Sequence, residues 1–166
     1  AVAPTEDHAE VAKHSGGLGL SHEAFSLRHG KPIVRCGGFD NDPGFCLGSN
    51  DKSVTFSGRG NIRYIFLGIG YDEPVANVRQ RFKAYMPADA RLLETYSFEF
   101  DGQPGLDLNS SLNSVVDVYH SDWVAGRFTE NEWREAGPPG RFYIQYSPAP
   151  ATLTTLAPAP RCGHVP

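Results

Sequence analysis

Short segments of strand-forming residues recur along this 166-residue chain and are separated by turn-forming residues. We predict strands at residues 53–57, 62–67, 92–100, 115–119 and 141–146. A Gly-Arg-Gly-Asn turn separates the first two of these, and such a turn is typical of a hairpin. Because consecutive strands joined by turns pair antiparallel, the pattern predicts a mainly antiparallel sheet.

Two longer segments carry helix signals between these strands. Ser21 suits an N-cap, Gly30 suits the position just after a helix, and Pro32 prevents continuation. The second helix shows an apolar stripe at helical spacing, formed by Val75, Val78, Phe82 and Tyr85. A further short helix is expected after Ser121. The predicted fold class is α+β, with two or three short helices packed on one face of the sheet.

The composition divides the chain into three parts. Residues 1–16 are polar and show no period, so we expect an extended N-terminal arm. Residues 17–147 are expected to form a single α+β domain, which suits a chain of this length. Residues 148–166 are rich in Pro, Ala, Thr and Leu, and such a composition favours a polyproline-type C-terminal tail.

Charge and hydropathy limit the classes of partner. The formal net charge is −4 without a long run of one sign, which argues against nucleic acid. The longest apolar run, near residues 64–69, has the length of a strand, so no transmembrane segment is expected. The small, polar residues 1–5 are typical of the start of a mature exported protein, which predicts an extracellular or cell-envelope location.

The three cysteines fit the same expectation. Cys36 and Cys46 are close in sequence and flank a turn-rich stretch, so we predict a disulfide between them in an oxidising compartment. Cys162 is then left over, as a free thiol or as one half of an intermolecular bridge.

No complete catalytic, nucleotide or metal motif is found, so we predict no catalytic residue and no cofactor. Asp40, Asp42 and Asp51 resemble part of a calcium loop, but the glycine and glutamate that the full loop requires are missing. Turn chemistry explains these aspartates more simply, and an irregular calcium site remains the alternative.

Trp133 and Arg134 lie in a polar segment before a Gly-Pro-Pro-Gly turn. An exposed tryptophan beside an arginine is typical of an interface anchor. The alternative is that Trp133 folds back over the core.

The combination of Gly19, Leu20, Ser21, Phe25, Gly30 and Pro32 resembles the SmpA/OmlA-type outer-membrane lipoproteins and the β-lactamase-inhibitor-like domains. The resemblance covers residues 19–67. It implies a capped helix followed by a hairpin, and it implies binding of other proteins outside the cytoplasm. No functional residue of those families transfers to this chain.

Together these features predict a non-enzymatic exported protein. It would act as a protein-binding module or as a structural subunit of an extracellular assembly, such as a filament or complex, and self-associate through its terminal arms. The alternatives are an inhibitor-like or ligand-binding domain that uses a sheet face or the Trp133 segment, and a small extracellular hydrolase.

Overall fold

The computed structural model describes residues 6–30, 34–39, 42–47, 49–56, 60–68, 73–100, 112–146 and 151–157. Its helices are α1 (His8–Val11), α2 (His22–His29), α3 (Val75–Lys83), α4 (Asp122–Ala125) and α5 (Glu130–Ala136). Its strands are β1 (Val34–Phe39), β2 (Asp42–Leu47), β3 (Ser49–Phe56), β4 (Ile62–Leu67), β5 (Arg91–Phe100), β6 (Leu112–His120), β7 (Arg141–Tyr146) and β8 (Ala151–Thr154).

All eight described strands form one antiparallel sheet in the order β1-β2-β3-β4-β8-β7-β6-β5. Strands β1 to β4 follow one another as a meander, and β5 to β7 form a second meander that runs back from the opposite edge. Strand β8 lies between β4 and β7 and joins the two meanders. The predicted antiparallel α+β fold is therefore confirmed.

One face of the sheet carries the helices and the main core. Phe25 of α2, Phe82 of α3 and Trp133 of α5 belong to one apolar cluster. The strands contribute to it with residues that share one side of the sheet: Val54, Ile65, Leu67, Tyr119, Phe142, Ile144, Tyr146, Ala151 and Leu153. A separate, smaller cluster of Val116, Val118 and Tyr143, against which Tyr96 packs, lies on the other face. The predicted placement of the helices on one face is thus confirmed for the described residues.

The helix signals in the sequence act as predicted. The Ser21 hydroxyl accepts a hydrogen bond from the backbone N–H of Ala24, and Gly30 has a φ of 80°, which glycine adopts without strain. The apolar stripe of α3 faces the core, because Val78 and Phe82 are buried and Val75 and Tyr85 pack against the same cluster. Local caps therefore mark both ends of α2.

The N-terminal segment is not an extended arm over its described part. Asp7 caps α1, and Glu6 forms a 2.6 Å ion pair with Arg127, beside the end of α4. Farther along, Ser15 is buried and bridges to Pro87, with backbone hydrogen bonds of 2.8 to 3.1 Å on either side. The prediction of an extended arm was wrong because two short contacts with distant segments, invisible in the local composition, tie this stretch down.

The predicted C-terminal tail is also wrong for residues 151–154. These residues form β8, all four are buried, and they pair with β4 on one side and β7 on the other. The segment forms a strand because two neighbouring strands offer it hydrogen-bonding edges, a cause that lies outside its own composition. Residues 148–150 and 158–166 lie outside the described residues, and so does Cys162.

The polar segment around residue 130 is helical. Thr129 and Glu132 form a capping box, in which each side chain bonds to the other residue's backbone N–H, and they start α5. The Thr-x-x-Glu pattern of this capping box is present in the sequence and indicates a helix start within the polar segment.

Candidate functional site

Trp133 lies in the core and does not form an exposed anchor. It is 3% exposed, its Nε1 donates to the Ala125 carbonyl at 2.9 Å, and the Phe128 ring packs edge-on at 5.4 Å between centroids. Arg134 is exposed and approaches Glu130 at 3.8 Å, one helical turn away. Of the two interpretations of Trp133, the structure supports the one in which it folds over the core.

Two of the aspartates proposed as an irregular calcium site, Asp42 and Asp51, lie apart along the sheet. Asp42 precedes Gly44 on β2, while Asp51 lies on β3 beyond Ser53, which pairs with Cys46. The two residues are therefore at least four residues apart along the ladder, roughly 13 Å at the rise of a strand. Asp40 lies outside the described residues. Over the described ranges, no three His, Cys, Asp or Glu side chains could hold a metal ion.

The predicted Cys36–Cys46 disulfide stays a prediction. Cys36 belongs to β1 and Cys46 to β2, and these strands pair antiparallel. The side chain of Cys36 lies outside the described residues.

A buried polar cluster that sequence analysis missed lies on the helix-covered face, around Asp117. Arg79 of α3 donates from Nε to Oδ2 of Asp117 at 2.7 Å and from a terminal nitrogen to Oδ1 at 3.0 Å. The Thr95 hydroxyl donates to Oδ1 and the Tyr146 hydroxyl to Oδ2, each at 2.7 Å. The cluster therefore ties α3, β5 and β7 to the middle of β6.

Arg79 and Asp117 form an ion pair whose charged state is stabilised by the surrounding hydrogen bonds. Burial by itself raises the pKa of a carboxyl, but the hydrogen bonds from Arg79, Thr95 and Tyr146 hold the pKa of Asp117 below its usual range. Burial, together with the hydrogen bond to this carboxylate, raises the pKa of Tyr146. Asp117 is therefore ionised and Tyr146 neutral at ordinary pH.

This arrangement leaves Asp117 little capacity for chemistry. A carboxylate has about four lone-pair positions, and Arg79, Thr95 and Tyr146 already supply four close donors. Asp117 is also fully buried. We therefore assign the cluster to the fold and not to a reactive centre. The signal that could have revealed it is a charged residue inside the apolar segment 115–119, on the side of the strand that Val115 and Tyr119 share.

Among the described residues, the edge of the sheet at β5 is the exposed feature that stands out. Over the described ranges, the exposed large apolar side chains are Leu27, Leu92 and Leu93, and the last two are adjacent on β5 with exposures of 52% and 44%. Strand β5 pairs with β6 along one side and ends the sheet order. A shift in register between Leu92 and Glu94 marks a bulge at the same place.

Two opposite charges flank this leucine pair. Arg91 precedes it and Glu94 follows it, and both are exposed. The charged residues and the leucines thus form a compact surface of four consecutive residues, Arg91 to Glu94, which we call the β5 edge patch. A strand at the edge of a sheet is able to pair with another strand.

Within the described residues, no helix is long and apolar enough to cross a membrane. Because of its exposed leucines and its place at the edge of the described sheet, the β5 edge patch is the candidate functional site. Comparisons with protein-family models, with curated proteins and with solved structures give no match to this chain.

Proposed function

We propose that this chain is a non-enzymatic, exported structural subunit that associates with a second copy of itself through the β5 edge patch. The observation that carries the proposal is the pair Leu92 and Leu93, exposed together on the edge strand. Natural sheets protect long edge strands from pairing, and exposed apolar residues there favour association instead.

The order of residues in the patch favours a copy of the same strand as partner. If two β5 strands pair antiparallel about a two-fold axis between Leu92 and Leu93, each Leu92 lies opposite the Leu93 of the other copy. The same register sets each Arg91 opposite a Glu94. Such a contact is self-complementary, as a two-fold interface requires, and opposite charges across strands stabilise pairing by about 0.2–1 kcal/mol per pair.

Association by exchange of the terminal arms is not the mechanism that we propose. The described parts of both predicted arms bind their own domain, through Ser15, Glu6 and strand β8. We therefore propose that self-association uses the sheet edge, and not the arms as predicted from the sequence.

The experiment is the mass of the native particle, measured by light scattering or sedimentation over a range of protein concentrations. We expect a dimer of twice the 18.1 kDa chain mass that dissociates on dilution. Replacing both Leu92 and Leu93 with lysine should give a monomer at every concentration, because lysine on an edge strand opposes pairing. A monomeric wild-type protein, or a variant that still dimerises, would contradict the proposal.

The matched control is Leu27→Lys. Leu27 is 65% exposed on α2, away from the sheet edge, so the same change in chemistry there should leave the dimer intact.

A charge exchange tests the register itself. Arg91→Glu sets two acidic residues opposite each other in each pair and should weaken association. Adding Glu94→Arg to this variant restores opposite charges and should return the dimer. If the double variant associates no better than the single variant, the proposed pairing is incorrect.

Export is tested separately through the cysteines. Alkylation and peptide mapping of the protein purified from an oxidising compartment should identify a bridge between Cys36 and Cys46. Three alkylated thiols in that protein would count against an exported location.

A further inference from the structure

A cleft of about 380 Å³ lies between the N-terminal segment, α2 and α3, and it reaches Ala90 and Tyr119 beside the start of β5. Its base is formed where residues 14–18 run beside residues 85–88, with Gly16 N–H bonded to the Met86 carbonyl at 3.1 Å and Ala88 N–H to the His14 carbonyl at 2.8 Å. The volume is in the range of sites for small molecules.

The charged residues that line the cleft are all cationic. They are Lys13, which follows α1, Arg28 in the last turn of α2 and Lys83 in the last turn of α3. Three cations thus surround one concave site in a chain whose formal net charge is −4. Arg28 is held in place, because one terminal nitrogen donates to the Ala12 carbonyl at 2.9 Å and leaves its remaining donors for other partners.

The acidic groups near the cleft are engaged elsewhere, with one exception. Asp89 is next to lining residues in sequence, but its carboxylate accepts from the Ser121 hydroxyl and from the Trp123 backbone N–H. Asp117 is buried and held by Arg79. The exception is Glu10, whose exposed carboxylate pairs with Lys13 at 3.1 Å. Arg28 and Lys83 are therefore the main source of positive potential.

The rest of the lining is largely apolar. Met86, Pro87, Ala90 and Tyr119 are among the lining residues, and the Tyr119 ring stacks on Phe142. Burial, together with the nearby Asp117 carboxylate, raises the pKa of Tyr119 to about 12, so the phenol stays neutral at ordinary pH. The cleft therefore combines an apolar wall with a cationic rim.

We infer that this cleft binds a small organic anion, whose apolar body lies against Met86 and Tyr119 and whose charged group contacts Arg28 and Lys83. Arginine and lysine form strong charge-assisted hydrogen bonds with carboxylate, sulfonate or phosphate oxygens. This binding activity is independent of the association proposed above.

The test uses a matched pair of fluorescent probes. 8-Anilinonaphthalene-1-sulfonate carries the anion, and N-phenyl-1-naphthylamine has the same rings without it. Titration of the native full chain with each probe should give saturable binding at one site, with the sulfonate the tighter ligand. Replacing both Arg28 and Lys83 with glutamine should weaken binding of the sulfonate by about tenfold or more and leave binding of the neutral probe within about twofold.

The control variant is Arg134→Gln, which removes one exposed cation from α5, outside the cleft. It should leave both affinities unchanged, and near-ultraviolet circular dichroism should confirm that every variant keeps its packed core. Equal affinities for the two probes, or an unchanged sulfonate affinity after the double substitution, would overturn the inference.

Discussion

Strands β8 and β5 occupy the centre and one edge of the same sheet, and their sequences suggest the reverse. Strand β5 is ten residues long and rich in aromatic and apolar residues, yet its first five residues are exposed. Strand β8 is a four-residue Ala-Thr-Leu-Thr segment near prolines, yet every residue of it is buried between two neighbours. Strand propensity therefore indicates that a segment can pair, while the topology decides how deeply it is buried.

The difference has an energetic meaning. A central strand gains hydrogen bonds on both sides and buries both faces, so a poor strand sequence is tolerated there. An edge strand must form from its own propensity and one neighbour, and it keeps an exposed side on which association depends. The two strands should therefore respond differently to the same substitution.

The largest expected difference is between Leu153→Ala at the centre and Leu92→Ala at the edge. Leu153 is fully buried, so its truncation should lower the free energy of unfolding by about 2–5 kcal/mol. Leu92 is 52% exposed, and its truncation should cost less than about 0.5 kcal/mol. Urea unfolding, at a concentration low enough to avoid association, measures both. Similar losses at the two positions would contradict the comparison.

The second-largest loss of stability is expected when the charge of Asp117 is removed. The hydrogen bonds of this residue connect the edge strand β5 to the rest of the sheet. Asp117→Asn keeps the shape but leaves the Arg79 guanidinium without its buried carboxylate partner. We expect a loss of about 2–3 kcal/mol, below the range for complete disruption of buried pairs because Arg79 is partly exposed. Urea unfolding at neutral pH measures the loss, and Asp122→Asn, at an exposed aspartate, is the control.

Acidification should reduce the difference in unfolding free energy between the wild type and Asp117→Asn. The folded-state pKa of Asp117 is lowered, so its stabilising contribution is complete above the ordinary aspartate value of about 3.9 and is lost as the pH falls below that value. The gap in unfolding free energy between wild type and Asp117→Asn should therefore narrow from pH 5 to pH 3. A gap that widens on acidification would mean that the carboxylate is not the stabilising form.

The smallest losses of stability are expected when the two hydroxyl donors to the Asp117 carboxylate, Tyr146 and Thr95, are removed one at a time. Tyr146→Phe removes the hydroxyl of a buried residue on β7 and should cost about 1–1.5 kcal/mol. Thr95→Val removes an equally short hydrogen bond from exposed Thr95 on β5, and should cost less, since a hydrogen bond beside solvent is weaker than one in the low-dielectric interior. Thermal unfolding of the two variants side by side measures the order, and the reverse order would argue against the centre-to-edge gradient.

The sequence predicted the local features and missed those that depend on distant partners. Helix α2 was predicted with its cap and stop because Ser21 and Gly30 determine them within one segment. Strand β7 was predicted with its boundaries because the alternation is complete within it. Strand β8 was missed because residues 151–154 become a strand only between two others.

The same reasoning applies to the candidate sites. Trp133 was proposed as an anchor, but its burial depends on Phe128 and Ala125 in a helix pair whose packing no local pattern reveals. The β5 edge patch could not be recognised from its residues either, because Leu92 and Leu93 resemble core leucines until the strand order is known.

The position of β8 also has a consequence for biosynthesis. Residue 153 pairs with residue 65, a separation of 88 positions, so the first meander emerges from the ribosome long before its central neighbour exists. During that interval β4 lacks its neighbour β8. Strand β7 of the second meander lacks the same neighbour. Contacts of such sequence separation slow folding and expose intermediates to aggregation. We therefore expect the nascent chain to be most prone to aggregation before residues 151–154 have been translated.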